Sequence, residues 1–214
     1  MKGSTHLAIG TAIGTAAAIY YPFSWKHAAL YVSVSAFSAL SADLDGPSLL
    51  SSKLGKLSKL LHELLVWTGG LLVSAVLILY AVYGIEHREW TVISVVLLLT
   101  GFIAKEGAIR NGLVSLVGCA LIYSGWTSDR YWLIGLGLFI AIAPWLRHRG
   151  LTHTVWAACA WGYIGLGLEH ELQLDGVAAV ATAGYMSHLI ADTLTPRGVK
   201  WLYPLWSKSF KLRL

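Results

Sequence analysis

Apolar residues run in long blocks along this chain, and polar residues come in short bursts between them. Eight apolar segments stand out, at roughly 7–21, 28–42, 64–84, 91–104, 112–126, 131–146, 154–168 and 176–194. Blocks of this kind predict helices that cross a membrane. Several hold only about 15 apolar residues, against the ~20 that span a full hydrocarbon core at 1.5 Å per residue. Some helices therefore start inside the headgroup layer, or the bilayer thins around them. Between 91–104 and 112–126, Lys105, Glu106, Arg110 and Asn111 mark either a tight surface turn or a re-entrant dip. In 51–62, Leu54, Leu57, Leu60 and Leu61 recur at helical spacing with lysines between them, which reads as an amphipathic helix on the membrane surface or as a basic loop. The expected fold class is all-α: a polytopic transmembrane helical bundle of about eight segments, with both termini cytoplasmic, forming one domain over 1–214.

Composition supports that pattern. The 214 residues are 56% hydrophobic and 13% charged, and the mean hydropathy is +0.63. An ordinary soluble domain is excluded, and no linker or repeat divides the chain. Cys119 and Cys159 sit among apolar residues and read as small core side chains rather than a disulfide or metal pair. The first segment is expected to be a retained helix, since no clear small-residue cleavage site comes after it. Eight crossings put most of the 16 Lys and Arg on one side, including Lys53, Lys56, Lys59, Arg147, Arg149, Arg197 and the tail. The acids divide nearly evenly, so this is the bias of the positive-inside rule, and that side is cytoplasmic. Tyr20, Trp25, Tyr83, Trp90, Tyr123, Trp126 and Tyr131 form an aromatic belt on the other. The formal charge of +5 then points to anionic lipid headgroups as partners, not to nucleic acid. Nothing in the pattern indicates an oligomeric state.

The candidate chemistry lies on the cytoplasmic side. His6, Asp43, Asp45, His62, His148, His153, His188 and Asp192 each fall at or near the same end of an apolar segment. Ser4 or Thr5 can cap the helix that His6 opens. Asp43 and Asp45 close the second segment before Gly46 and Pro47, where an irregular turn can aim both carboxylates at one point. His148 and His153 flank Gly150, and Thr152 is placed to cap the seventh segment. His188 and Asp192 are four apart and share a helical face. His62 lies in the lysine-rich stretch, where it can simply reach the interface. His27, His87 and His170 sit on the other side with no such company of aspartates.

Imidazole with carboxylate suits zinc, manganese or iron(II). The expected ligand set is His6, Asp43, Asp45, His148, His153, His188 and Asp192, holding one or two divalent ions, zinc or manganese by preference. Two ions about 3.5–4 Å apart can clamp a phosphoryl group. Asp45 is expected to act as general base and Arg149 to bind phosphate oxygens with its planar fork, with Arg147 and Arg197 nearby.

Thr5-His6, Asp43-Leu44-Asp45, His148-Arg149-Gly150-Leu151-Thr152-His153, Ser187-His188 with Asp192-Thr193, and Thr195-Pro196-Arg197-Gly198 occur in this order. Together they resemble the YdjM-like family of inner-membrane proteins, over positions 5 to about 204. The resemblance implies a membrane-bound metal-dependent hydrolase with a His/Asp metal site, and more distantly a likeness to zinc-dependent phospholipase C. The family pattern has Pro before the Asp-x-Asp and often His after it; here Ala42 and Gly46 stand there, which removes one possible ligand. The expected function is hydrolysis of a phosphoester in a lipid-type substrate at the cytoplasmic leaflet of the inner membrane. A metal or proton transporter, and a membrane protein with a structural metal, are the alternatives.

Overall fold

A computed structural model describes residues 1–46 and 48–212. The expected stop at Pro47 and the basic residue Arg213 lie outside the described residues. Among the described residues eight α-helices occur in order: α1 Gly3–Tyr20, α2 Trp25–Ser41, α3 Ser52–Tyr83, α4 Arg88–Ile103, α5 Glu106–Thr127, α6 Tyr131–Ile142, α7 Val155–Leu172 and α8 Val177–Thr193. Short 3-10 turns lie at Ala42–Asp45, Ala143–Trp145 and Leu151–His153. Among the described residues there is no strand, only an isolated antiparallel bridge between Val199 and Phe210. The fold is all-helical, as the apolar blocks predict.

Local chemistry moves several boundaries. Helix α1 starts at Gly3 without a side-chain cap, so Ser4 and Thr5 lie inside its first turn and do not cap it. The cap of α7 is Thr154, whose hydroxyl accepts from the Ala157 N–H at 3.3 Å; Thr152, expected there, has another task. Residues 51–62 are not a separate surface helix. They run into α3 as one helix of 32 residues, about 48 Å long at 1.5 Å per residue. No glycine or proline separates Lys56 from Val66, so nothing breaks the helix where the two expected elements meet. Two residues, Ala104 and Lys105, join α4 to α5. Glu106, Arg110 and Asn111 belong to α5, so the connection is a tight turn.

Two helices, α3 and α5, are long and apolar enough to cross a membrane. The element Tyr131–Trp145 is apolar but shorter. Large apolar side chains such as Ile19, Trp67, Leu71, Phe102, Ile103 and Tyr163 stand exposed, a surface that water would penalise and lipid would not. Tyr20, Trp25, Tyr123, Trp126 and Tyr131 are exposed at helix ends.

Helix packing groups the chain into two compact units, Met1–Ser51 with Val114–Leu214, and Ser52–Leu113. In the second unit α3 packs on α4, and the Ser58 hydroxyl donates to the Glu106 carbonyl. The first unit carries the chemistry. Its core stacks Trp161 on Tyr185, with Phe139 edge-on to Trp161 at 4.9 Å between ring centroids. The Trp161 indole N–H is satisfied by Ser38 Oγ at 2.9 Å. Helix α1 buries His6, Gly10, Gly14 and Ala18, one residue per turn on a single face. A Cβ on Gly14 would stand 2.5 Å from Val32 Cα. Glycine there lets α1 lie against α2, and the same face ends in His6.

Candidate metal centre

Four separate stretches bring the donors together: the first turn of α1, the 3-10 turn after α2, the loop before α7 and the last turns of α8. His6, His153, His188 and Asp192 are buried, each no more than 2% exposed. Three overlapping groups have ligand atoms within 4.8 Å of one another: His6, Asp43 and His188; Asp43, His148 and His153; and His153, His188 and Asp192. Shared members make them one cluster.

Hydrogen bonding settles which imidazole nitrogens are free. The His188 Nδ1–H donates to the Ala39 carbonyl at 2.8 Å, which leaves Nε2 as the lone-pair nitrogen. Thr152 donates its hydroxyl proton to Asp45 Oδ2 at 2.6 Å. Its oxygen therefore accepts from His153 Nδ1 at 3.0 Å, with Asp45 Oδ2 a further acceptor at 3.3 Å. Burial pushes the His153 pKa down, against the opposing pull of Asp45, so the ring is neutral with its one proton on Nδ1. Its Nε2 faces His188 Nε2 at 3.3 Å. Two lone pairs at that distance repel unless a cation or proton lies between them.

Asp43 Oδ1 lies 3.5 Å from His188 Nε2 and 3.7 Å from His153 Nε2. Ligands at about 2.0–2.2 Å around a tetrahedral zinc stand roughly 3.3–3.6 Å from one another. Two of the three separations among these atoms fall in that range and the third lies just beyond it, close to those of ligands on one ion. Asp192 closes the cluster, with Oδ2 3.9 Å from His153 Nε2 and Oδ1 3.4 Å from His6 Nε2. The N-terminal ammonium of Met1 rests on Asp192 Oδ1, a cation against the acidic side of the cluster. His6 stacks on His188 with ring centroids 3.8 Å apart, and among the described residues its buried Nδ1 has no hydrogen-bond partner. Donor chemistry, spacing and this orphaned nitrogen all fit a divalent transition metal.

The remaining expected residues have different tasks. Asp45 is not among the three donor groups. Its Oδ1 accepts from His148 Nδ1 at 2.7 Å, and its Oδ2 accepts from the Arg149 backbone N–H at 3.0 Å as well as from Thr152. Burial would raise its pKa, but the bonds from His148, His153 and Thr152 outweigh burial and hold it below the ordinary carboxylate range. Asp45 is thus a carboxylate fixed behind two histidines, the arrangement that orients metal-binding imidazoles. The placing of Asp45 as ligand and general base gives way to this one because both its oxygens are engaged. Asp43 shows the same balance: burial raises it, and His188, His153 and His6 together bring it down. His148 stands at the rim, half exposed. Its bond to Asp45 raises its pKa above the usual imidazole value.

Arg149 adopts a left-handed backbone, φ +59°, uncommon for a residue with a side chain. Its Nη2 meets Asp192 Oδ2 at 2.8 Å, and its Nη1 meets Thr195 Oγ1 at 3.2 Å and the Gly198 carbonyl at 3.1 Å. The fork expected to hold a phosphate is instead engaged with Asp192 and the segment after α8. His62 lies on α3, in the other unit, and is outside the donor groups. Sequence reading missed Thr152 as the link between Asp45 and His153, and Tyr185, whose hydroxyl donates to the Thr152 carbonyl. Tyr185 could have been found: with His188 and Asp192 it falls at i, i+3 and i+7 of α8, on one face. The Ala39 carbonyl has no side-chain signal at all.

A cavity of about 330 Å³ opens on the cluster, bordered by Asp43, Ser48, Leu49, His148, Arg149 and Asp192. The model of the YdjM inner membrane protein family matches residues 1–214. The chain belongs to that family. No curated protein and no solved structure gives a significant match. Family membership makes this an inner membrane protein, and the clustered His and Asp residues are those that the family resemblance singled out.

Proposed function

We propose that this protein is a metal-dependent hydrolase of the inner membrane that cleaves a phosphoester in a lipid-type substrate. The observation that carries the reading is the His153–His188–Asp43 triangle: three donor atoms at ligand spacing, beneath an open cavity. A purely structural metal would be closed off by four protein ligands, whereas the mouth here has room for substrate. A bound divalent ion would supply Lewis acidity and lower the pKa of a water. Asp43, His153 and His188 would hold it, with Asp192 and His6 at its edge.

The chain's own groups provide the rest. Arg149 pins Asp192, and Asp45 with Thr152 keeps the proton of His153 on Nδ1. His148 is the group placed to move a proton. Its Nδ1 is fixed on Asp45, and its Nε2, on the far edge of the ring, is free to take the proton of an attacking water and return it to the departing ester oxygen. A groove of about 540 Å³ between α6 and α7, bordered by Leu138, Phe139, Leu146, Leu151, Trp156 and Ile164, also reaches Thr152. An apolar channel beside the donors supports a substrate with a hydrocarbon part.

The helices are read as eight membrane segments with both termini and the donor cluster toward the cytoplasm, supported by the Lys and Arg bias. Six of them are short or weakly apolar for a full crossing, so local thinning is part of this reading. The test is metal analysis of detergent-purified protein, followed by a panel of lipid and soluble phosphoesters with and without chelator. Chelator-sensitive turnover is expected. Metal flux across sealed vesicles with no hydrolysis of any phosphoester would replace the enzyme with a transporter.

A further inference from the structure

Beside the donor cavity lies a smaller one of about 160 Å³, bordered by Arg147, His148, Arg149, Arg197, Lys200 and Tyr203. Its far wall is built by the chain after α8. That segment turns at Gly198, φ +65°, and Val199 and Phe210 exchange hydrogen bonds of 3.1 and 2.9 Å. Ser209 Oγ donates to the Arg197 carbonyl at 2.8 Å. A Cβ on Gly198 would stand 2.2 Å from the Phe210 carbonyl oxygen, so the fold-back depends on glycine there.

Among the described residues four cations border this cavity and no carboxylate does. Arg149 is matched by Asp192. Among the described residues Arg147, Arg197 and Lys200 have no ion pair, and Lys200 has only the Tyr203 ring, at 5.9 Å. The positive-inside bias accounts for basic residues in loops. It does not account for cations from two distant stretches of chain converging on one concavity, where like charges repel. His148 and Arg149 border both cavities, so the basic cavity and the donor mouth share a wall.

We propose that the basic cavity is a second phosphate subsite, and that the substrate, taking the hydrolase reading as given, is a lipid diphosphate. One phosphate lies at the His/Asp donors, and the other is held by Arg147, Arg197 and Lys200. The volume equals roughly five waters at about 30 Å³ each, room for one oxyanion with some water and too little for a hydrocarbon chain. Arginine forks suit paired phosphate oxygens, and the lysine adds a point charge. Water adds to the phosphorus at the donors and the bridging P–O bond breaks. The phosphate in the basic cavity departs with the bond pair as inorganic phosphate, the lipid monophosphate is released from the donors, and one proton passes through His148 to solvent.

The test uses the full chain in detergent, treated with chelator, and titrates methylenediphosphonate and orthophosphate calorimetrically. The diphosphonate should bind more tightly than orthophosphate. Arg197→Ala with Lys200→Ala should weaken it by about tenfold or more, and Arg197→Lys should recover part of the loss. If the double variant melts early, Arg197→Gln alone carries the comparison. Unchanged diphosphonate affinity overturns the subsite. With metal restored, farnesyl diphosphate should be hydrolysed in preference to farnesyl phosphate, and the double variant should erase that preference. Equal turnover of both, untouched by the variant, overturns the subsite and leaves the hydrolase standing. Diphosphonate binding with no hydrolysis of any phosphoester overturns the hydrolase reading, and the lipid diphosphate with it. Lost co-sedimentation with phosphatidylglycerol vesicles in the double variant, with diphosphonate binding intact, assigns these cations to the membrane surface and overturns the proposal.

Discussion

His153 and His188 point their Nε2 atoms at each other across 3.3 Å, while the Nδ1 of each faces an acceptor elsewhere. Neither nitrogen can donate to the other, so the pair is stable only around a shared cation or an added proton. Purified protein should therefore carry about one to two transition-metal ions per chain, zinc or manganese by preference. His188→Ala and Asp43→Ala should each lower that content, read by elemental analysis of folded, monodisperse protein. His87→Ala and His170→Ala should leave it alone. Unchanged metal in the first two variants would remove the centre as described.

Asp45 acts on the centre through Thr152 and the two histidines. Asp45→Asn keeps the size but presents an amide N–H toward a donor that needs an acceptor. Metal affinity should fall about 10–100-fold, the usual effect of losing a carboxylate behind a metal-binding histidine. Phosphoester turnover should fall by roughly 10²-fold or more, since His148 loses the partner that fixes its proton. Competition with a calibrated chelator separates the two effects. Lost turnover at full metal affinity would make Asp45 a direct base and reverse the assignment.

The protonation states of the loop predict a pH window. Asp45 has its folded pKa below its unfolded value of about 3.9, so its contribution is present above that value and is lost as pH falls through the lowered one. His148 has its folded pKa above about 6.5, so its contribution is complete below 6.5 and fades as pH rises through the raised one. The pair's contribution to stability is thus complete from about pH 4 to 6.5, and its worth is modest because His148 is half exposed. His153, pushed down by burial, stays neutral at the upper end of this window. Histidine ring ¹⁵N shifts in chelated protein should show His148 titrating at higher pH than His153. The opposite order would contradict the tautomers assigned to the loop.

Topology is open to labelling. In a background lacking Cys119 and Cys159, Lys53→Cys and Thr127→Cys place thiols at exposed positions. An impermeant maleimide should reach them from opposite sides of the membrane. Labelling of both from one side would undo the eight-segment reading and the convergence of the donors at one leaflet.

Helix number and approximate place were legible because an apolar block long enough to bury a backbone has few alternatives to a helix. The donor residues were legible for a related reason. Histidine and aspartate are costly near a membrane interior, so His6, Asp43, His153, His188 and Asp192 stood out against the apolar blocks. The join of 51–62 to α3 was not legible, because an amphipathic stretch and an apolar stretch carry the same helical period and only a breaker would part them.

What the amino-acid order determined by itself was the class of fold and the kind of donor. Hydrophobic period and donor chemistry are properties of residues one at a time. Tertiary structure alone decided which carboxylates join the donor cluster. Asp43 and Asp45 are two apart on one turn, yet Asp43 reaches His153 and His188, while both oxygens of Asp45 are engaged by the loop that carries His148 and Thr152. It decided too that the fork of Arg149 meets Asp192, and that Arg147 and Arg197 border one cavity. Those facts depend on hydrogen-bond partners more than a hundred residues away, or on a carbonyl such as that of Ala39, and neither leaves a mark in the local sequence.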